Sequence, residues 1–367
     1  MRNKIIMTLA ISIASVSYGL EPLKDSTDIY MGKMFSHIDK NNDGLFKAED
    51  NPGDWKKKKG LDTNKDGAVD LSEFKAKSLK YIDSPGKQIR NVMFKKSPTG
   101  DVYLDFYFPD VDESTEKPVI IYTHGGGWAA GSKQGAGNAS FNVVHKELLK
   151  QGFCVLSVGY RKWSKTGTTS MRDCVIDSLD ALRYISAYRE ELGIDPMKIY
   201  TFGDSAGGHL AQMVLFTPPN MLTGDPELAK YTYKTVAGVS WYGPCDFEDA
   251  QLFNHNDNPK FRDRFGPRIM GTDDGPQGKL ERYREMSPVN YLTKDSAPLL
   301  MIQGDKDTTI PVKQAYRMQE ALKTIEAPVE ILIVKNAGHN WRKVGADINP
   351  SRTSIIKSTI DFILKHK

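Results

Sequence analysis

The sequence predicts an α/β chain: a mostly parallel sheet with helices on both faces, preceded by a small all-α module. Three observations predict it. From about residue 87, short apolar runs alternate with amphipathic stretches, the pattern of βαβ units. Before that point, two twelve-residue loops rich in Asp, Asn and Gly occupy residues 39–50 and 62–73. The 367 residues suffice for one large domain with an appendage. Charged residues make up 26% and hydrophobic ones 39%, which excludes wholesale disorder, collagen and a polytopic membrane protein. The 50 basic against 46 acidic residues leave a formal charge of +4, without a dense basic stripe, so no nucleic-acid partner is expected. The run Lys56 to Lys59 reads as a solvated patch.

At the start, Arg2 and Lys4 precede an apolar run from Ile5 to Val16, followed by Ser17 and Gly19. A charged head, a short apolar stretch and small residues at −3 and −1 predict a secretory signal peptide over 1–19. The run is too short to cross a bilayer, so no stable membrane insertion is expected. The expected location is secreted or periplasmic, and removal of the segment would reduce the charge to +2. Export would permit disulfides. Cys154, Cys174 and Cys245 are read as three buried thiols, with one bridge left open.

Residues 20–83 carry the two acidic loops, and both resemble the EF-hand calcium loop. Ca²⁺ takes six to eight oxygens, which such a loop supplies from positions 1, 3, 5, 7, 9 and 12 around a turn glycine at 6. In the second loop these are Asp62, Asn64, Asp66, the Ala68 carbonyl, Asp70 and Glu73, with Gly67 at the turn. The first loop offers Asp39, Asn41, Asp43, the Leu45 carbonyl and Asp50, with Gly44 at the turn. Lys47 at position 9 cannot be a ligand and Asp50 is shorter than Glu, so weaker binding is expected there. Phe46 and Val69, at position 8 of each loop, should pair. Met31, Met34, Phe35 and Phe74 should supply the apolar faces. The expected cofactor is structural Ca²⁺.

Residues 87–367 hold the larger domain. Strands are predicted at 102–108, 118–123, 153–159, 199–202, 235–242, 298–303 and 328–334. Helices are predicted at 138–151, 171–192, 207–216, 311–326 and 351–366. Residues 247–297, rich in Asn, Asp, Pro and Arg, break the rhythm. They read equally as a surface excursion or as a cap over the strand ends, where ligands bind in such sheets.

Gly203-Asp204-Ser205-Ala206-Gly207 follows a strand and opens a helix, matching G-x-S-x-G, the nucleophile elbow. A serine nucleophile needs a base and the base needs an orienting carboxylate. His339 and Asp307 follow the last two strands and supply them in the order Ser, Asp, His; Asp305 is the competing acid. His124-Gly125-Gly126-Gly127-Trp128 follows another strand, and Gly126, Gly127 and Ala206 are the expected amide donors to an oxyanion. Trp128, Trp241 and Tyr242 either line an aromatic acyl pocket or pack in the core.

On these motifs residues 87–367 resemble the α/β-hydrolase superfamily. The glycine motif and elbow are similar to those of hormone-sensitive-lipase-like esterases, and the Trp after the glycines resembles feruloyl and acetylxylan esterase-like hydrolases. The resemblance implies a secreted serine carboxylesterase acting on short acyl or aryl esters, small or carried on a polysaccharide. It implies an acyl-enzyme and no catalytic cofactor. Two alternatives stand beside it: a prolyl-oligopeptidase-like peptidase, and a calcium-dependent binding protein with an inert hydrolase domain. The oligomeric state is left open.

Overall fold

A computed structural model describes residues 20–77, 81–110, 116–271 and 278–367. The predicted signal peptide lies outside these residues. The first elements among the described residues are α1 (Thr27–Ser36), β1 (Leu45–Phe46), α2 (Pro52–Lys58), β2 (Val69–Asp70) and α3 (Leu71–Lys77). The two short strands pair antiparallel with Phe46 opposite Val69, so position 8 of one acidic loop meets position 8 of the other. Met31, Phe35, Ile38, Phe46, Val69 and Phe74 bury together as a separate small core.

The larger unit follows: β3 (Gln88–Lys95), β4 (Val102–Tyr107), β5 (Lys117–Thr123), α4 (Ala139–Lys150), β6 (Cys154–Val158), α5 (Met171–Ala187), α6 (Arg189–Leu192) and β7 (Ile194–Asp204). After it come α7 (Ala206–Phe216), β8 (Thr235–Trp241), α8 (Gly266–Met270), α9 (Lys279–Glu285), β9 (Leu299–Gly304), α10 (Lys313–Ile325), β10 (Val329–Val334) and α11 (Arg352–Lys365). The eight large strands run in the order β10-β9-β8-β7-β5-β6-β4-β3. All neighbours from β10 to β6 are parallel, while β4 and β3 add an antiparallel edge. β5 is buried at every position because helices cover both faces.

The predicted strands and helices are present, with α5 and α6 dividing the stretch expected as one helix. β3 was not expected. Asn91 has φ +52° and the register with β4 shifts between Ile89 and Val92, so the bulge hides the alternation. All three cysteines are free and buried.

Among its described residues the 247–297 excursion carries α8, α9 and two short 3₁₀ turns. Phe247, Phe253 and Phe265 pack on one another, and Phe247 and Phe265 also pack on the Trp128 ring. That places the excursion against the glycine motif.

Candidate active site

Three loops at the carboxyl ends of β5, β7 and β9 and a fourth after β10 converge. β7 ends at Asp204, and the chain turns through Ser205 into α7 with Ser205 at φ +54°, ψ −121°. This strained backbone holds the side chain up from the sheet edge. Gly203 and Gly207 are required on steric grounds. A Cβ on Gly203 would lie 2.1 Å from the Gly207 carbonyl oxygen, and one on Gly207 would lie 2.0 Å from that of Thr123. The Ser205 amide continues the sheet by donating to the Trp241 carbonyl at 2.8 Å.

His339 Nε2 lies 3.0 Å from Ser205 Oγ, and His339 Nδ1 lies 2.7 Å from Asp307 Oδ2. The pattern assigns the proton to Nδ1, which donates to Asp307, and leaves Nε2 to accept from the Ser205 hydroxyl. Asp307 is buried, and its Oδ1 accepts from the Thr309 and Ile310 amides at 2.7 and 2.9 Å. Those two bonds fix the carboxylate. Asp305 lies instead 3.8 Å from Lys306 Nζ, so the geometry favours Asp307 as the acid.

The glycine motif is tied to Asp204, the residue before Ser205. Gly126 has φ +126° and Gly127 +61°, and the Gly126 carbonyl accepts from the Ala129 and Ala130 amides. A Cβ on Gly126 would meet the Ala130 oxygen at 2.2 Å. The Ala206 amide belongs to the first turn of α7, where helical amides lack an intrahelical acceptor. Gly126, Gly127 and Ala206 are thus carried on the two segments that flank Ser205.

Asp204 was not singled out from the sequence. Its buried Oδ1 accepts from the Tyr122 hydroxyl and the Gly125 amide, both at 2.9 Å. It therefore ties the glycine motif to the elbow. Burial raises its carboxyl above the usual range, opposed by those two bonds. The only sequence signal was its place as the variable residue of G-x-S-x-G.

Two of the three aromatic residues are corrected. Trp241 is fully buried beneath the site, its ring against Phe141, Phe202 and Trp341 and its indole N–H donating to Thr359 Oγ at 2.9 Å. Its place on β8 turns it onto the covered sheet face. Trp128 is also buried and donates to His209 Nδ1 at 3.2 Å. Both are packing residues. Tyr242 is buried too, but its ring stands edge-on to His339 at 4.8 Å, so it braces the imidazole.

The acidic loops turn their oxygens onto their own backbones. Asp39 Oδ2 accepts from Gly44, Asp62 Oδ2 from Gly67, and Glu73 Oε1 from Thr63 and Asn64. Asn41, Asp43, Asn64 and Asp66 each cap an amide two residues on. Asp50 and Asp70 accept from Lys47 and Glu73. The Thr63 hydroxyl and these amides hold the Glu73 carboxyl down to about 2. Among the described residues no three His, Cys, Asp or Glu converge to hold a metal. The donors are nonetheless hard oxygens, and Asp39 Oδ1 is buried without a partner. That donor chemistry fits Ca²⁺.

The model of the family described as BD-FAE matches residues 104–322. A probable carboxylic ester hydrolase, LipM of Mycobacterium tuberculosis, is 28% identical over 217 residues, 59% of this chain and 47% of its own length. Esterase LipC of the same organism is 30% identical over 251 residues, 65% of this chain and 57% of its own. The chain thus spans about half the length of these curated relatives. A solved structure of Thermogutta terrifontis esterase 2 superimposes with a TM-score of 0.61 at 23% identity, covering 78% of this chain and 96% of that one, and shares the fold. Among the described residues no helix is long and apolar enough to cross a membrane.

Proposed function

The chain belongs to the BD-FAE family, and from that premise we propose that it hydrolyses carboxylic esters through Ser205, His339 and Asp307. The observation that carries this reading is the unbroken relay from Asp307 Oδ2 through His339 to Ser205 Oγ. As Ser205 Oγ attacks the ester carbonyl carbon, its proton passes to His339 Nε2. Asp307 stays ionised and holds the imidazolium through Nδ1–H. The amides of Gly126, Gly127 and Ala206 receive the developing oxyanion. The C–O bond then breaks, and the alcohol leaves with the Nε2 proton. Water, deprotonated by His339 Nε2, attacks the acyl carbon; the bond to Ser205 Oγ breaks, Oγ takes back the Nε2 proton and the acid is released.

In this reading the substrates are short acyl or aryl esters, free or carried on a polysaccharide, and residues 1–19 direct export. The acidic loops form an EF-hand pair. Asp62, Asn64, Asp66, Ala68, Asp70 and Glu73 would hold one Ca²⁺, and Asp39, Asn41, Asp43, Leu45 and Asp50 a second, weaker one. The metal would be structural, clamping the loop pair.

A panel of acetyl, butyryl and feruloyl esters beside a peptide substrate tests the reaction class. Ester turnover without peptide cleavage is expected. Ser205→Ala should lower kcat by on the order of 10⁶. Turnover that survives the substitution at the same site would overturn the mechanism.

A further inference from the structure

Two arginines of the 247–297 excursion reach the site. Arg268 lies in the middle of α8, and its guanidinium carbon is 3.9 Å from the point a Cβ on Gly127 would occupy. It lies across the Trp163 and Phe265 rings at 5.5 and 5.4 Å, and its Nε is buried without a hydrogen-bond partner. Arg264, four residues earlier, donates to the Thr309 carbonyl, beside the amide that fixes Asp307. One arginine therefore stands over the oxyanion loop and the other over the acid loop.

Among the described residues neither guanidinium makes an ion pair, although other arginines around the excursion do: Arg284 with Glu248, Arg172 with Glu285, Arg317 with Asp246. The acid next in sequence, Asp263, is engaged elsewhere. Its Oδ1 accepts from the Phe265 and Gly266 amides and its Oδ2 from the Tyr283 hydroxyl. Burial lowers both guanidinium groups from their ordinary value; the Asp307 charge opposes this at Arg264, and the Arg264 charge adds to it at Arg268. Two guanidinium groups without an ion-pair partner among the described residues, set on aromatic faces beside a site for ester carbonyls, are arranged for a planar anion. A carboxylate fits a guanidinium fork bidentately.

We propose that the ester this site takes carries a free carboxylate, held by Arg268 and Arg264 while Ser205 attacks. The inference rests on the esterase reading above. The carboxylate belongs either to the acyl chain, as in a half-ester of a dicarboxylic acid, or to the alcohol, as in an acylated hydroxy acid.

Two matched pairs test it at low salt. For the acyl side, 4-nitrophenyl hydrogen succinate is compared with 4-nitrophenyl butyrate. For the alcohol side, 4-acetoxybenzoate is compared with 4-acetoxybenzamide. The readout is the anionic-to-neutral ratio of kcat/KM, compared between wild type and variants so that the esters' intrinsic reactivity cancels. One pair should show a ratio at least about tenfold higher in the wild type than in Arg268→Gln, and the pair that responds identifies the side. Arg264→Gln should lower the same ratio, Arg268→Lys should recover part of it, and added salt should shrink it. A ratio unchanged by Arg268→Gln in both pairs overturns this inference alone. Absence of turnover of all four esters by the wild type overturns the esterase reading and this inference with it.

Discussion

Asp204 decides how well the glycine motif is placed. Its Oδ1 holds the Gly125 amide, one residue before the first expected oxyanion donor. Asp204→Ala would leave that amide and the buried Tyr122 hydroxyl without their acceptor. We expect kcat to fall by up to about 10²–10³, the cost of one misplaced oxyanion donor, with KM much less changed. Asp204→Asn, which keeps a carbonyl oxygen to accept from Gly125, should recover part of the rate. A change confined to KM would remove the positioning role. Ser205, Asp307 and His339 were legible as residues because each closes a motif after an apolar strand. Asp204 was not, because its role comes from a bond to a residue 79 positions away.

At the scale of elements, the acidic module is seated on the edge of the large sheet. Asp25 Oδ2 accepts from the Arg90 amide, the Ser26 amide donates to the Arg90 carbonyl, and Asn91 Nδ2 donates to Thr27 Oγ. Behind this contact Lys133 Nζ, buried, donates to Asp105 Oδ1 at 2.6 Å and lies 4.6 Å from the Tyr30 ring centre. α1 thus joins the loop pair to β3 and to a buried ion pair. Calcium bound by the loops should therefore stabilise the whole chain, by about 2.7 kcal/mol at a hundredfold excess over Kd. Chelation by EGTA should lower Tm by several degrees in one transition, and restored calcium should raise it again. An unchanged Tm would show the loops metal-free or uncoupled from the sheet. The two loops were readable residue by residue, because ligand spacing is a local property. Their seat was not, since β3 is bulged at Asn91, the residue that receives α1.

Across the whole molecule, three fully buried histidines set the response to acid. Burial pushes His124 down to about 3 and His145 and His209 each to about 4, against an ordinary value of 6.5. Between pH 6.5 and 4 the unfolded chain binds more protons than the native one, so native stability falls as pH falls. Each histidine contributes a slope approaching about 1.4 kcal/mol per pH unit in that window. The urea midpoint should accordingly drop between pH 7 and pH 5, and a midpoint that holds or rises would contradict this. By itself the sequence determined the parallel α/β architecture, the elbow, the order of Ser205, Asp307 and His339 along the chain and the spacing of the acidic loops. All of these follow from short-range periodicity and from turns that only certain residues can make. Tertiary structure alone decided that Trp241 and Trp128 belong to the core while Tyr242 braces His339, and that Arg264 and Arg268 overlook the site. It also decided where the module rests. Those outcomes depend on which faces of distant segments meet, and residue spacing along the chain carries no record of that.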